Sequence, residues 1–410
     1  MTKFGYALQE FYDTKKILDV CARKHAFLAF LMANCKQKTS GEVHVHSLIT
    51  ENGAGRSAVF STAQGNAEGN KGAKFKVETI EDFGVVQISS AVLDSSEGQS
   101  AAAFFDARIS EIDGVMKSLS KSLAHAVWRS GSGSLGKISA SQVASSTTLS
   151  LTNARDVIFL MEGVRLVSDS VDGGGTVGTT VSFVKSVDYD AGTFTVSASL
   201  GGVAITATAA DMTAGQYLFA DGDYDTKLKG VAAWIPATVA SNDSFYGVNR
   251  STNRYRLAGN YRDATGLPIE QAIIDAATLL ADRSEASPEI VFMSANDWAS
   301  LNKSLSSKIQ LIDVRPGADT SFFFQGISIN GPTGPLTVVS DSDIPDGFAL
   351  VTQKDAWNLI YKGKDVVHFE EYDGNKVLRA ASSSGIEARV KYNANIICKA
   401  PAYCSLIKLR

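Results

Sequence analysis

One stretch of this sequence sets the scale of anything it can fold into. Between residues 97 and 129, Ala101, Phe105, Ile109, Ile112, Met116, Leu119, Leu123 and Val127 recur at three- and four-residue steps. They form one continuous apolar stripe on a helix. Ser96 and Gln99 supply an S-x-x-Q capping box at its start. Some thirty residues of helix span about 45 Å, long for a globular domain. The stretch ends at "RSGSGSLG", where glycines can take the left-handed conformation that stops a helix.

Those glycines also match two nucleotide-binding patterns. Gly131, Gly136 and Lys137 fit G-x-x-x-x-G-K, and Gly131, Gly133 and Gly136 fit G-x-G-x-x-G, with Asp156 about twenty residues on. Both patterns require a strand before the glycines and a helix after them, so that helix N–H groups meet the phosphate. Here a helix precedes, "KISASQVASSTTLSL" comes next, and Ile138 stands where a magnesium-binding Ser or Thr belongs. The stretch reads as a helix stop, and a nucleotide-binding enzyme using residues 131–137 is the competing class.

Upstream, residues 7–34 carry helical periodicity, and the apolar run 26–33 is too short to span a bilayer. Residues 54–93 come after it, with a Gly-rich polar centre (63–73) and two strand-like ends, 74–81 and 84–93. This predicts a long hairpin without a core of its own, which needs another surface, such as a second copy of the chain, to lie on. Downstream, residues 138–228 hold short β signals ("TTLSL", "DVIFLMEGVRLVS", "TTVSFVKSVD", "GTFTVSAS", "VAITATAA") separated by Gly/Asp turns. They predict a small β-domain set into a larger fold. After residue 230 the pattern is mixed. A helix starts at Pro268, the strand "EIVFMS" (289–294) leads into a helix near Trp298, and a run of strands ends in "IEARVKYNANIIC". The expected class is α+β.

The chemistry-bearing residues do not converge. Asp221, Asp223 and Asp225 have calcium-loop spacing, but Thr226 replaces the glycine and Ala232 the bidentate glutamate. His44 and His46 face one side of a strand if "EVHVHSL" is extended, without a third ligand near in sequence; His25, His125 and His368 are scattered. Cys21, Cys35, Cys398 and Cys404 lack C-x-x-C spacing, and an N-terminus without a signal-peptide core predicts reduced thiols in a cytoplasm. A net charge of −4 removes any bulk attraction to nucleic acid or acidic membrane. No catalytic, cofactor-binding or metal-ligating residue is assigned, no cofactor is expected, and the chain is not expected to be an enzyme.

The order of parts resembles the major capsid protein of tailed bacteriophages, the fold named for phage Hong Kong ninety-seven. The resemblance is carried by the hairpin 54–93, the helix 97–129 with its "GSGSLG" end, "YLFADGDYDTKLKGVAAWIP" (217–236), "PEIVFMSANDWASL" (288–301) and residues 326–363. It implies an N-terminal arm (1–53), an extended loop (54–96), and a peripheral domain with a spine helix (97–137). It also implies an inserted β-rich domain (138–228), an axial domain with its connections (229–345) and return strands (346–410). It further implies self-assembly through pentamers and hexamers into an icosahedral shell around double-stranded DNA, held non-specifically. Scaffolding, portal and decoration proteins are the implied partners, no membrane is involved, and the implied location is the virion, assembled in the host cytoplasm. An encapsulin-type shell is the near alternative. Some members join a loop lysine to a neighbour's asparagine; Lys71, Lys74 and Lys76 lie in the corresponding loop, and the asparagine and acid are not placed. The arm starts almost at Met1, so a separate scaffold, or none, is expected.

Overall fold

In a computed structural model the chain divides into two compact units. One comprises residues 1–124, 234–342 and 347–410; the other comprises 125–233 and 343–346. The structure describes residues 25–34, 36–53, 55–89, 101–305, 310–314, 324–371, 377–379 and 385–410. Ser96, Gln99, Cys21, Cys35 and residues 7–24 of the expected first helix lie outside them.

The first unit is built on a seven-stranded mixed sheet. Its order is Asn260–Asp263, Ser405–Lys408, Phe348–Thr352, Ile290–Ser294, Pro335–Asp341, Phe324–Asn330 and Gln310–Val314. Every residue of the strand Ile290–Ser294 is buried, because both faces of the sheet are covered there. Val291 and Met293 pack with Ala272, Ile273, Ala276 and Leu280 of the helix Ile269–Ser284, which starts directly after Pro268 as its sequence predicts. Phe292 faces the opposite way and meets the Phe27 ring edge-on, with centroids 5.0 Å apart. Phe27 belongs to the short helix Ala26–Asn34, which is apolar all round and buried from Ala26 to Met32. The Asp341 carboxylate accepts the Phe27 N–H at 2.8 Å in this buried setting, satisfying a helix-start donor that water cannot reach.

A six-stranded sheet forms around the fourteen-residue strand Gly385–Cys398. Trp357–Tyr361 pairs with its C-terminal end, and Ile80–Ser89 pairs antiparallel with residues 385–394. The hairpin expected between 74–81 and 84–93 does not form. Only Thr79 separates the strands Lys71–Glu78 and Ile80–Ser89, and one residue is too short a link to reverse the chain. The chain runs on from one sheet into the next. Lys71–Glu78 instead pairs with Val43–Glu51, so the hairpin begins some ten residues earlier than its predicted start.

The second unit holds a six-stranded antiparallel sheet in the order Ser134–Lys137, Tyr217–Ala220, Arg165–Asp169, Ser182–Asp188, Thr193–Ser197 and Thr148–Ser150. Its own core gathers Leu149, Val157, Leu166, Val184, Phe194, Val196, Met212 and Leu218. Two expected strands are partly something else. "DVIF" lies in the 3-10 helix Ala154–Phe159, capped by the Asn153 side chain accepting the Arg155 N–H. "VAITATAA" contributes an isolated bridge at Ala204 before turns take over.

Candidate functional site

The hairpin Val43–Glu51/Lys71–Glu78 is sharply two-faced. Its register sets His44 opposite Val77, His46 opposite Phe75 and Leu48 opposite Ala73, and these side chains share one face. Phe75 and Val77 are fully buried there. Phe75 stacks against Trp234 at 5.2 Å, and Trp234 meets Phe245 at 5.0 Å, so an aromatic cluster fixes the hairpin's base. The Tyr246 carbonyl accepts the Lys76 N–H at 3.0 Å. Burial raises the Tyr246 hydroxyl's pKa to about 12, keeping it neutral beside the Asn395 amide that donates to it at 3.0 Å. His46 Nε2 lies 3.1 Å from the Lys399 carbonyl, and burial lowers its pKa.

The opposite face is open. Val45 and Ile49 are half exposed there, and the register sets Val45 opposite Lys76 and the intervening Ser47 opposite Lys74. Beyond Glu51 none of the described residues of the tip is buried: the helix Phe60–Gly65 has no buried residue, its Val59 cap offers no side-chain hydrogen bond, and Phe60 is 81% exposed. A helix of under two turns gains too little from its own hydrogen bonds to be stable in water. The tip is closed instead by local ties. Asn70 Oδ1 accepts the Gly53 N–H at 2.7 Å, and the Lys71 ammonium meets Glu51 at 2.7 Å, which raises the lysine pKa. Gly53 has to lack a side chain, because a Cβ there would lie 2.1 Å from the Glu68 carbonyl oxygen. Phe60, Val45 and Ile49 thus leave an exposed apolar surface on this hairpin.

The long helix runs over Ala101–Trp128, and Ile112, Met116, Leu119, Leu123 and Val127 of its predicted stripe are buried. The side chains of Ala101, Phe105 and Ile109 lie outside the described set. Gly131 and Gly133 take φ of +98° and +83° directly after it. A Cβ on Gly133 would sit 2.2 Å from the Asp223 carbonyl oxygen, so strain and a clash both exclude other residues.

These glycines lead into the strand Ser134–Lys137, not into a helix, and this removes the physical basis of both nucleotide patterns. Gly136 is a strand residue paired with Leu218. The Lys137 amine donates to the Tyr217 hydroxyl at 3.3 Å and sits 4.7 Å over that ring. The Asp156 carboxylate is held by Arg129 at 3.3 Å; burial raises its pKa and the guanidinium opposes that.

The aspartates of "DGDYD" diverge. Asp221 pairs with Arg165 at 2.9 Å, Asp223 with Lys227 at 3.1 Å, and Asp225 accepts the Gly174 N–H at 2.6 Å. His44 and His46 do share a face, as their spacing predicts, yet His46 is engaged by a backbone carbonyl. His368 Nδ1 lies 2.8 Å from the Asp365 carbonyl, and His125 accepts from Arg129 Nε at 3.1 Å. Among the described residues no group of three or more such side chains could hold a metal ion, and no helix is long and apolar enough to cross a membrane. Sequence reasoning weighed "EVHVHSL" as extended but did not pair it with Lys71–Glu78. The alternation in "EVHVHSLITE" was the available signal for that strand.

No family model matches the sequence, and no curated protein sequence matches it. Solved structures do match. The capsid asymmetric unit of cyanophage A-1(L) aligns over 93% of this chain and 91% of its own, with a TM-score of 0.53 at 11% identity. The capsid of an empty GTA particle covers 94% and 90%, with a TM-score of 0.46 at 10% identity. A holo-SrpI encapsulin complex from Synechococcus elongatus covers 93% and 86%, with a TM-score of 0.45 at 7% identity. The first alignment carries the fold assignment: this chain has the phage capsid fold, in the α+β class expected from its sequence.

Proposed function

We propose that this protein is the major capsid subunit of a tailed phage, assembling through pentamers and hexamers into an icosahedral shell around double-stranded DNA. One observation carries the reading beyond the fold: a hairpin is firmly anchored at its base and buries nothing at its tip. A subunit that works alone has no use for an apolar strand face and a solvated Phe60. A subunit repeated around a closed ring covers that surface with its neighbour, and the weak contacts add by multiplicity. The net charge of −4 suits a container that holds DNA without gripping it. In this reading the subunit assembles in the host cytoplasm and ends in the virion, with scaffolding, portal and decoration proteins as further partners. The six-part division into arm, loop, spine helix, insertion, axial domain and return strands belongs to the same proposal. So does the absence of enzymatic activity.

Electron microscopy of the full-length protein, expressed alone and with its neighbouring genes, tests the reading. Closed shells with five- and six-fold capsomers are expected. Protein that stays monomeric under every assembly condition overturns it. An encapsulin-type shell is the second reading, and a packaged protein cargo in place of DNA would favour it.

A further inference from the structure

Cys398 is the last residue of the central strand of the six-stranded sheet. Cys404 immediately precedes Ser405–Lys408, a strand of the seven-stranded sheet. The five residues between them, including the 3-10 turn Pro401–Tyr403, are the covalent joint between the two sheets. That turn folds the joint back on itself. The two sulfur atoms come within 3.7 Å of each other in a fully buried setting.

Both thiols are free of disulfides, and Cys404 Sγ also approaches the Ala400 carbonyl oxygen at 3.8 Å. Cys404 Sγ lies 3.2 Å from the Thr352 hydroxyl, which itself accepts the Trp357 indole N–H at 3.1 Å. The outer wall of the joint, at Ala400, Ala402 and Tyr403, lines a cleft of 360 Å³, wide enough for an oxidant of two heavy atoms.

We propose that Cys398 and Cys404 are a modification site: a thiol pair that a small peroxide converts to a disulfide, stapling the two sheets at their joint. One thiol gives up its proton, and its sulfur attacks a peroxide oxygen. The S–O bond forms as the O–O bond breaks, and the departing hydroxide takes that proton to become water. The second sulfur then attacks the sulfenic sulfur, forming S–S and breaking S–O; its proton and the second hydroxide make a second water. Two thiols and one hydrogen peroxide give one disulfide and two waters.

Burial pushes the Cys398 thiol pKa well up, which disfavours the reactive thiolate. The pair therefore stays reduced where the chain is made and oxidises slowly, as the joint opens transiently toward the cleft. Once formed, the bond closes a short ring and restricts the unfolded chain, so the oxidised protein melts higher, by roughly 2–5 °C. This chemistry is independent of whether the chain builds a capsid.

The test uses the full-length protein treated with hydrogen peroxide, alkylated, and digested with trypsin without reductant. Cleavage after Lys391, Lys399 and Lys408 places the two cysteines on separate peptides, 392–399 and 400–408. The expected product is these two peptides linked, lighter by two hydrogens than their sum, and released by a reducing agent. The link should persist in the Cys21→Ser/Cys35→Ser double variant and vanish in Cys398→Ser. Recovery of both peptides as separate alkylated species, under conditions that oxidise the urea-unfolded chain, overturns the proposal. So does a link from either cysteine to Cys21 or Cys35 alone.

Discussion

The tip of the hairpin and the β-rich second unit are opposite in physics. In the second unit, Phe194, Leu149, Leu166 and Val196 close a core with exposures of 0–1%, so the fold satisfies itself. In the hairpin tip, the helix Phe60–Gly65 buries nothing. The same chain thus contains a region whose stability is internal and a region that buries nothing of its own. Hydrophobic burial does not distinguish a folding surface from an association surface; only the timing of the burial differs.

Thermal stability should separate the two regions in graded steps. Phe194→Ala removes a fully buried ring from the second unit's core and should destabilise that unit by about 3–5 kcal/mol, read as an early transition in calorimetry. Phe75→Ala empties the aromatic cluster at the hairpin base, and a loss near the lower end of the same range is expected. Hydrogen exchange should localise it to residues 43–51 and 71–78.

A smaller effect attaches to pH. The folded-state pKa of His46 lies below the ordinary 6.5, so the unfolded chain binds the extra proton more readily. Stability is then full above about pH 6.5 and falls as pH drops through that value toward the folded pKa. His46→Gln should shallow that decline in the melting temperature between about pH 7.5 and 5. An unchanged slope would assign it to His368, whose pKa is lowered in the same direction.

The smallest thermal change is expected for Phe60→Ser, within about 0.5 kcal/mol of zero for the unassembled subunit. Assembly yield, counted by electron microscopy, should collapse in the same variant. If the subunit itself melts early, the tip belongs to an internal core and the two regions do not differ in kind.

Much of the local structure was legible in the sequence. The strand "EIVFMS", the helix after Pro268, the late strands and the buried stripe of the long helix all accord with periodicity and end signals. Strand partners were harder to read. Lys71–Glu78 pairs back to residues 43–51, while 80–89 joins residues 385–394. Pairing across about three hundred residues is set by which faces must be buried together, and no local pattern encodes that. The 3-10 turn at Ala154–Phe159 is similarly hidden, because "DVIF" has the composition of a strand and only the Asn153 cap argues otherwise. The cysteine pair escaped notice for a related reason. Six residues apart, the two thiols meet only because the turn at Pro401 doubles the chain back.

The strand Ser134–Lys137, which carries the chain into the β-rich sheet, is hydrogen-bonded to Tyr217–Ala220, which carries it out. Neighbouring strands lie about 5 Å apart. The eighty residues or so between them therefore hang from a doorway no wider than one strand pair. A tight turn closing that ladder, or an unrelated module with adjacent termini, would meet the same geometric boundary condition. The paired strands thus form a socket, and lineages or engineers could exchange its contents without redrawing the frame.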